Sequence, residues 1–375
     1  MGGRVSAPRV QELVREHVAR GAPVRIVGGG CWLDAGRPVS DAEPLSLADD
    51  RAIVEYVAGD LTLTARAGAT LSDIAAATGA EGQWLALDPF GAPSGTLGAT
   101  IATGSAGPLA HAFGTPRDTV LGLEVVTGSG ETVRAGGRVV KNVAGFDLTR
   151  LFTGAWGTLA VITEATVRLR ARPERDETVA LLVPADGALG DWLARLRTLP
   201  FTPLALEMVS SSLSATLGLE PAALLLARLG GNDDAVRAQR QLLGALSEMR
   251  DVSASVWSTL ATVEPNGASV ARVSAPPSRL HAIWPLLSRV DDRSLAHATV
   301  GRGVVRSICT SSDDANSQAW LAAIRKCEGT HIFERLPARA WRTVPCRVDD
   351  QISRAVRTAF DPARILNRGI LGEVA

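Results

Sequence analysis

Between residues 93 and 169, glycine, threonine and alanine crowd into three short stretches separated by β-branched runs, and no other part of the chain restricts its fold so strongly. In order they are Ser94-Gly95-Thr96-Leu97-Gly98-Ala99-Thr100-Ile101-Ala102-Thr103-Gly104, then Lys141-Asn142-Val143-Ala144-Gly145-Phe146-Asp147-Leu148, then Gly154-Ala155-Trp156-Gly157-Thr158-Leu159-Ala160-Val161-Ile162-Thr163-Glu164. Read as turns, they lack the Cβ atoms that would hold a ligand off, so backbone amides can approach an anion or a flat ring while flanking hydroxyls stand nearby. A dinucleotide offers both. Upstream, the β-branched run Val24-Arg25-Ile26-Val27 leads into Gly28-Gly29-Gly30-Cys31-Trp32, where the glycines permit positive φ and a tight turn. A lone glycine triplet is more often an ordinary loop. Its place after a strand and ahead of the second glycine region makes it the first ligand loop.

The rest of the chain reads as mixed helix and sheet. Helical spacing of Val10, Leu13, Val14, His17 and Val18 gives an opening helix over 8–19 that Gly21 stops. Strands are expected at 52–56, 61–65, 120–127, 131–135 and 158–169, with a helix at 71–78. Arg170 to Arg175 is charged and broken by Pro173, a domain boundary. Beyond it the order strand 179–183, helix 187–197, strands 204–208 and 223–229, helix 233–248 predicts an antiparallel sheet covered by helices. At 375 residues the chain exceeds what one core usually fills, so two domains are expected.

Charge excludes some partners. With 39 basic and 39 acidic residues the net charge is zero, which gives nucleic acid no field to follow. Two lysines against 37 arginines read as coding bias. Cysteines 31, 309, 327 and 346 form no CxxC pair, so no metal or iron–sulfur ligand set is expected. The N-terminus has arginines but no apolar core behind them, and no apolar run is long enough for a transmembrane segment. A cytoplasmic protein is expected.

The three stretches in this order, with Arg138-Val139-Val140 before the second, resemble the FAD-binding domain of PCMH type in the vanillyl-alcohol oxidase superfamily. That superfamily holds the bacterial D-2-hydroxyacid dehydrogenases and the flavin subunits of glycolate oxidase, and residues 138–151 resemble the signature of the subunit of E type. The resemblance covers residues 20–172 and returns in the tail, Asp361-Pro362-Ala363-Arg364-Ile365-Leu366-Asn367-Arg368-Gly369, where Arg368 replaces the usual proline. It implies an α+β fold: a two-lobed PCMH-type FAD-binding domain at 1–172, a smaller α/β cap with an antiparallel sheet at 173–350, and a tail, 351–375, that returns to the first. It also implies FAD at Gly28, Gly29, Gly30, Cys31, Trp32, Pro89, Thr96, Gly98, Ala99, Ala102, Thr103, Gly107, Gly114 and Ile162, with the diphosphate met by backbone amides rather than by a lysine. Cys31 stands where covalent relatives have a histidine, so non-covalent FAD is expected. Arg117 and Asp118 read as a local salt bridge without a chemical role.

Catalytic residues are harder to find. A flavin dehydrogenase of 2-hydroxyacids needs a base for the hydroxyl proton and a cation for the carboxylate. His297-Ala298-Thr299-Val300-Gly301-Arg302-Gly303-Val304-Val305-Arg306 resembles an eroded form of the relatives' His-x-Gly-Asp-Gly-Asn-x-His motif, which leaves His297, Arg302 and Arg306 as weak candidates and no metal. For His297 a satisfied strand-end residue weighs evenly against a flavin-facing one. The implied function is oxidation of glycolate or a similar small 2-hydroxyacid, with a second flavin subunit and an iron–sulfur subunit as partners. A catalytically silent flavin scaffold and a stand-alone oxidase of another alcohol or acid are the alternatives.

Overall fold

The computed structural model describes residues 7–137, 146–290, 294–311 and 314–373. The second glycine stretch falls mostly on 138–145 and lies outside the described residues. The chain divides into two compact units. The first is drawn from Met1–Ala106, Gly114–Arg172 and Ala338–Ala375, and the second from Gly107–Phe113 and Pro173–Pro337. The chain therefore enters the second unit twice, the first time for only seven residues.

In the first unit, five antiparallel strands lie in the spatial order Ile53–Val57, Thr62–Arg66, Ala160–Arg168, Val120–Thr127 and Thr132–Gly136. The central strand and its two neighbours are rich in β-branched and small apolar residues, and Leu63, Ala65, Val125, Val126, Val161 and Val167 are buried. Helix Ala7–Arg20 adds Val10 and Val14, one turn apart on its inner face, to the same core. Apart from this sheet, Val24–Val27 and Glu43–Ser46 form a parallel pair with Val24 opposite Glu43.

The tail locks onto that pair. Val24 donates to the Ile365 carbonyl at 2.8 Å, and the Asn367 amide donates back to the Val24 carbonyl at 2.9 Å. The Asn367 side chain then accepts from the Ile26 amide at 2.8 Å and donates to the Trp156 carbonyl at 2.7 Å. One buried amide thus ties together the strand before the glycine triplet, the third glycine stretch and the chain's last turn.

The second unit is built on eight strands, all antiparallel, in the order Met249–Val252, Arg175–Leu182, Leu224–Gly231, Ala205–Val209, Leu295–Thr299, Val304–Cys309, Ser269–Ser274 and Thr330–Arg335. Helices Asp186–Arg197, Asp233–Gly244 and Leu280–Ser288 supply Leu189, Leu193, Val236, Leu243, Trp284 and Leu287 to its interior. Where a single helix over 233–248 was expected, the helix ends at Gly244 and Met249 opens an edge strand. Among the described residues no helix is long and apolar enough to cross a membrane.

Candidate functional site

The first glycine-rich loop, the segment 94–105 and the third stretch converge in the first unit on a cleft of about 980 Å³, open solvent at its mouth included. Of the fourteen cofactor residues expected from sequence, Gly28, Gly29, Gly30, Cys31, Trp32, Pro89, Thr96, Gly98, Ala99, Ala102, Thr103 and Ile162 line it, and Gly107 and Gly114 do not. Gly107 belongs to the segment that joins the second unit. Gly114 serves a local turn: at φ +82 its absent Cβ would strike the Asp118 carboxylate at 2.6 Å.

The segment 94–105 is not the turn that its composition suggests. Leu97–Thr103 is a short helix, capped by Thr96, whose hydroxyl accepts from the Ala99 amide at 3.3 Å. Gly104, at φ +65, ends it. The small residues are there because this helix presses on two neighbours. A Cβ on Gly98 would lie 2.7 Å from the Ala67 Cβ and 2.9 Å from the Ala67 carbonyl oxygen. A Cβ on Gly28 would meet the Thr96 hydroxyl at 2.4 Å, and one on Gly29 the Ser94 carbonyl at 2.9 Å. Of the triplet, Gly30 alone takes positive φ, +80. Close approach, more than turn geometry, accounts for the other two.

Aromatic rings close one side of the cleft. Trp32 donates from Nε1 to the Phe90 carbonyl at 3.1 Å and meets Trp156 edge to face, ring centres 6.0 Å apart. Trp156 holds φ +57, a conformation that bulky residues rarely adopt, and is fixed by its amide to the Ala102 carbonyl and its carbonyl to Asn367.

Sequence reasoning missed Arg25. It lines the cleft and is the one charged side chain among the described lining residues. It is half-buried, and burial pulls its guanidinium below its ordinary value, with no carboxylate acting in return. The sole signal in the sequence is a charge inside the otherwise apolar run Val24–Val27. Asn367 was visible only as part of the tail motif. Arg117 and Asp118 hold local structure: Arg117 donates to the Thr153 carbonyl at 3.1 Å, and Asp118 closes a capping box with Thr115.

Of the catalytic candidates, His297 and Arg306 lie on the second unit's sheet, and Arg302 lies in the turn that joins their strands. His297 and Arg306 are register partners on adjacent strands, and Arg272 is the partner of Arg306 on the next. His297 is buried, with Nδ1 2.5 Å from a Glu207 carboxylate oxygen. Arg306 is also buried, and its guanidinium donates to both Glu264 and Glu334. Arg335 shares Glu264, and Arg272 approaches Glu334 at 3.6 Å. Burial opposes the charge on Arg306, but Glu334 and Glu264 outweigh it and hold the proton more tightly than usual. Burial likewise opposes the Glu334 charge, and Arg306, Arg272 and Arg335 more than compensate, holding its carboxyl below the usual carboxylate range. The Nε and Nη1 of Arg306 are thus engaged by two glutamates of the protein itself. Arg302 is exposed, and it lies beside His111, whose ring sits on Gly301 so closely that a Cβ there would come within 2.5 Å. Burial, with Arg302 adding to it, pushes His111 down to about 4.

The geometry can be set beside known proteins. Residues 5–136 match the family described as an FAD binding domain. Glycolate oxidase subunit GlcE of Escherichia coli (strain K12) is 33% identical over 251 residues, 66% of this chain and 66% of that protein, so the match spans just under two thirds of that relative's length. Glycolate oxidase subunit GlcD of Bacillus subtilis (strain 168) is 27% identical over 408 residues, 96% of this chain and 85% of its own. Among solved structures, p-cresol methylhydroxylase with substrate bound superposes with a TM-score of 0.75 at 16% identity, covering 98% of this chain and 87% of that one, a likeness of fold.

Proposed function

We propose that this chain, whose residues 5–136 match the FAD binding domain family, is the FAD-binding subunit of a glycolate oxidase-type complex, of the E type, acting in oxidation of glycolate or a similar 2-hydroxyacid to the 2-oxoacid. The observation that carries this reading is the convergence of twelve expected contact residues on one cleft. Bound FAD supplies the hydride acceptor.

This chain's residues do the holding. In the proposed arrangement the amides of 28–31 and the hydroxyls of Thr96 and Thr103 meet the polar parts of the dinucleotide, while Trp32, Ala99, Ala102 and Trp156 exclude water from its flat ring. Cys31, with Sγ 3.8 Å from the Gly29 carbonyl, is a small wall residue, and the flavin is held without a covalent bond. Electrons leave to an iron–sulfur partner beside a second flavin subunit. No group of three or more metal-ligating side chains stands among the described residues.

A second reading, a flavin-holding subunit that does not itself oxidise substrate, draws on one observation: Arg306, a candidate carboxylate clamp, is tied into internal pairs. One experiment separates the two. The purified chain, loaded with FAD under anaerobic conditions, is mixed with glycolate and its visible flavin band followed. Bleaching at a catalytic rate supports the oxidising subunit. A persistent oxidised band, with bleaching only when partner subunits are added, supports the flavin-holding one. Heat or acid denaturation of the loaded protein should release all the colour into the supernatant, and colour left on the polypeptide would end the non-covalent assignment.

A further inference from the structure

Resting on the FAD reading above, we propose that Arg25 is the cation that meets the diphosphate of the bound dinucleotide. A diphosphate carries two negative charges into a cleft whose other described lining residues are all uncharged. Backbone amides supply only partial charges, and an anion drawn out of water without a full counter-charge is costly. A guanidinium answers this with several donors in a planar fork, the geometry that suits phosphate oxygens.

Three features of Arg25 fit the role. Its side chain makes no hydrogen bond and no ion pair among the described residues, so a ligand takes it without breaking anything. Its pKa is lowered by burial with no carboxylate raising it, as expected of a charge that awaits an incoming anion. Its backbone is fixed on both sides: Val24 is bonded to Ile365 and Asn367, and the Ile26 amide to the Asn367 side chain, while Arg25 itself lies opposite Pro44 in the parallel pair. The paired arginines of this unit show the contrast. Arg66 reaches Glu124, Glu164 and Asp50, and Arg134 is bound to Glu124. Arg25 is thus preorganised at its Cα and uncommitted at its tip.

The test uses the full chain stripped of flavin and titrated with FAD, with binding followed by flavin fluorescence. Arg25→Gln should weaken FAD by about tenfold to a hundredfold, the span of a charged hydrogen-bond pair. Arg25→Lys should recover part of the loss. Wild-type affinity should fall as salt is added, and that dependence should be much shallower in Arg25→Gln. Riboflavin, which has no diphosphate, should bind both proteins equally. FAD affinity in Arg25→Gln within about twofold of wild type overturns the proposal, as does an equal loss for riboflavin and FAD. If the wild-type chain takes up no FAD at all, the functional reading itself falls and the role of Arg25 falls with it. Wild-type binding with an indifferent variant overturns the role of Arg25 alone.

Discussion

The first unit's cleft and the second unit's sheet treat charge in opposite ways. The first unit's cleft is walled by glycine, alanine, threonine and tryptophan and holds one arginine, Arg25, without a partner among the described residues. On the second unit's sheet, Arg272, Arg306 and Arg335 face Glu264 and Glu334, and His297 is held by Glu207, so each charge is answered inside the protein. By eye the second region, with its histidine and arginines, looks more like a reaction site. The physics points elsewhere. Buried charges that satisfy one another describe a folded interior, and a single half-buried cation in an otherwise neutral cleft describes a place for a ligand.

The strongest way to break this contrast is to remove the centre of the second unit's network. Arg306→Met deletes the guanidinium that Glu264 and Glu334 share, and taking one partner from a buried ionic cluster costs about 3–5 kcal/mol. Arg335 and Arg272 still face the two glutamates, so the lower end is expected, read as a drop in the urea midpoint. FAD affinity of the folded variant should not change. If FAD is lost while the protein stays folded, the sheet's charges serve the cofactor after all. The same network sets an acid limit: Glu334 has a depressed pKa in the fold, so its stabilisation is present above the ordinary carboxylate range and is lost as pH falls through the lower folded value.

The contrast also explains what could be read from sequence. Strands at 24–27, 120–127 and 160–168 and helices at 7–20 and 186–197 announce themselves by period and by flanking glycine or proline. The cleft was legible as a cluster of small residues, because absent side chains leave a mark in composition. Its fine structure was not. Thr96 to Gly104 reads as a turn, and it is a helix because Thr96 caps it and Ala67 leaves room for Gly98. Arg25 and Asn367 are separated by 341 residues, and nothing in either neighbourhood says that one lies on the strand that the other pins. The seven residues 107–113 sit within a continuous glycine-rich text, yet their contacts are with the second unit. Local pattern reports local structure, and these are all long-range facts.

A smaller effect concerns His111, half-buried against Gly301, whose buried Nδ1 has no hydrogen bond among the described residues. Its pKa of about 4 in the fold stands against an ordinary 6.5. As pH falls below 6.5 the unfolded chain takes up this proton first, so the contribution to stability is full above 6.5 and is lost on the way down to 4. The shift corresponds to up to about 3 kcal/mol, less whatever solvent reaches the ring. His111→Gln should flatten the fall in urea midpoint over that window and leave the neutral-pH value nearly unchanged. An unaltered slope would mean that the ring is solvated or paired.

The smallest prediction returns to the cleft wall and asks whether its glycines are there for packing. Gly28→Ala places a methyl 2.4 Å from the Thr96 hydroxyl, so either the loop or the cap must give, at about 1–3 kcal/mol for overpacking. Thr96→Ala removes the cap at roughly 1 kcal/mol. Together they should cost less than the sum, because the atom that Gly28→Ala strikes is the one that Thr96→Ala deletes, and the next nearest Thr96 atom is 3.5 Å away. The urea midpoints of the two single variants and the double variant measure the coupling. Simple additivity would show that Gly28 is required for its own backbone or for the ligand, and that contact with the helix cap does not explain it.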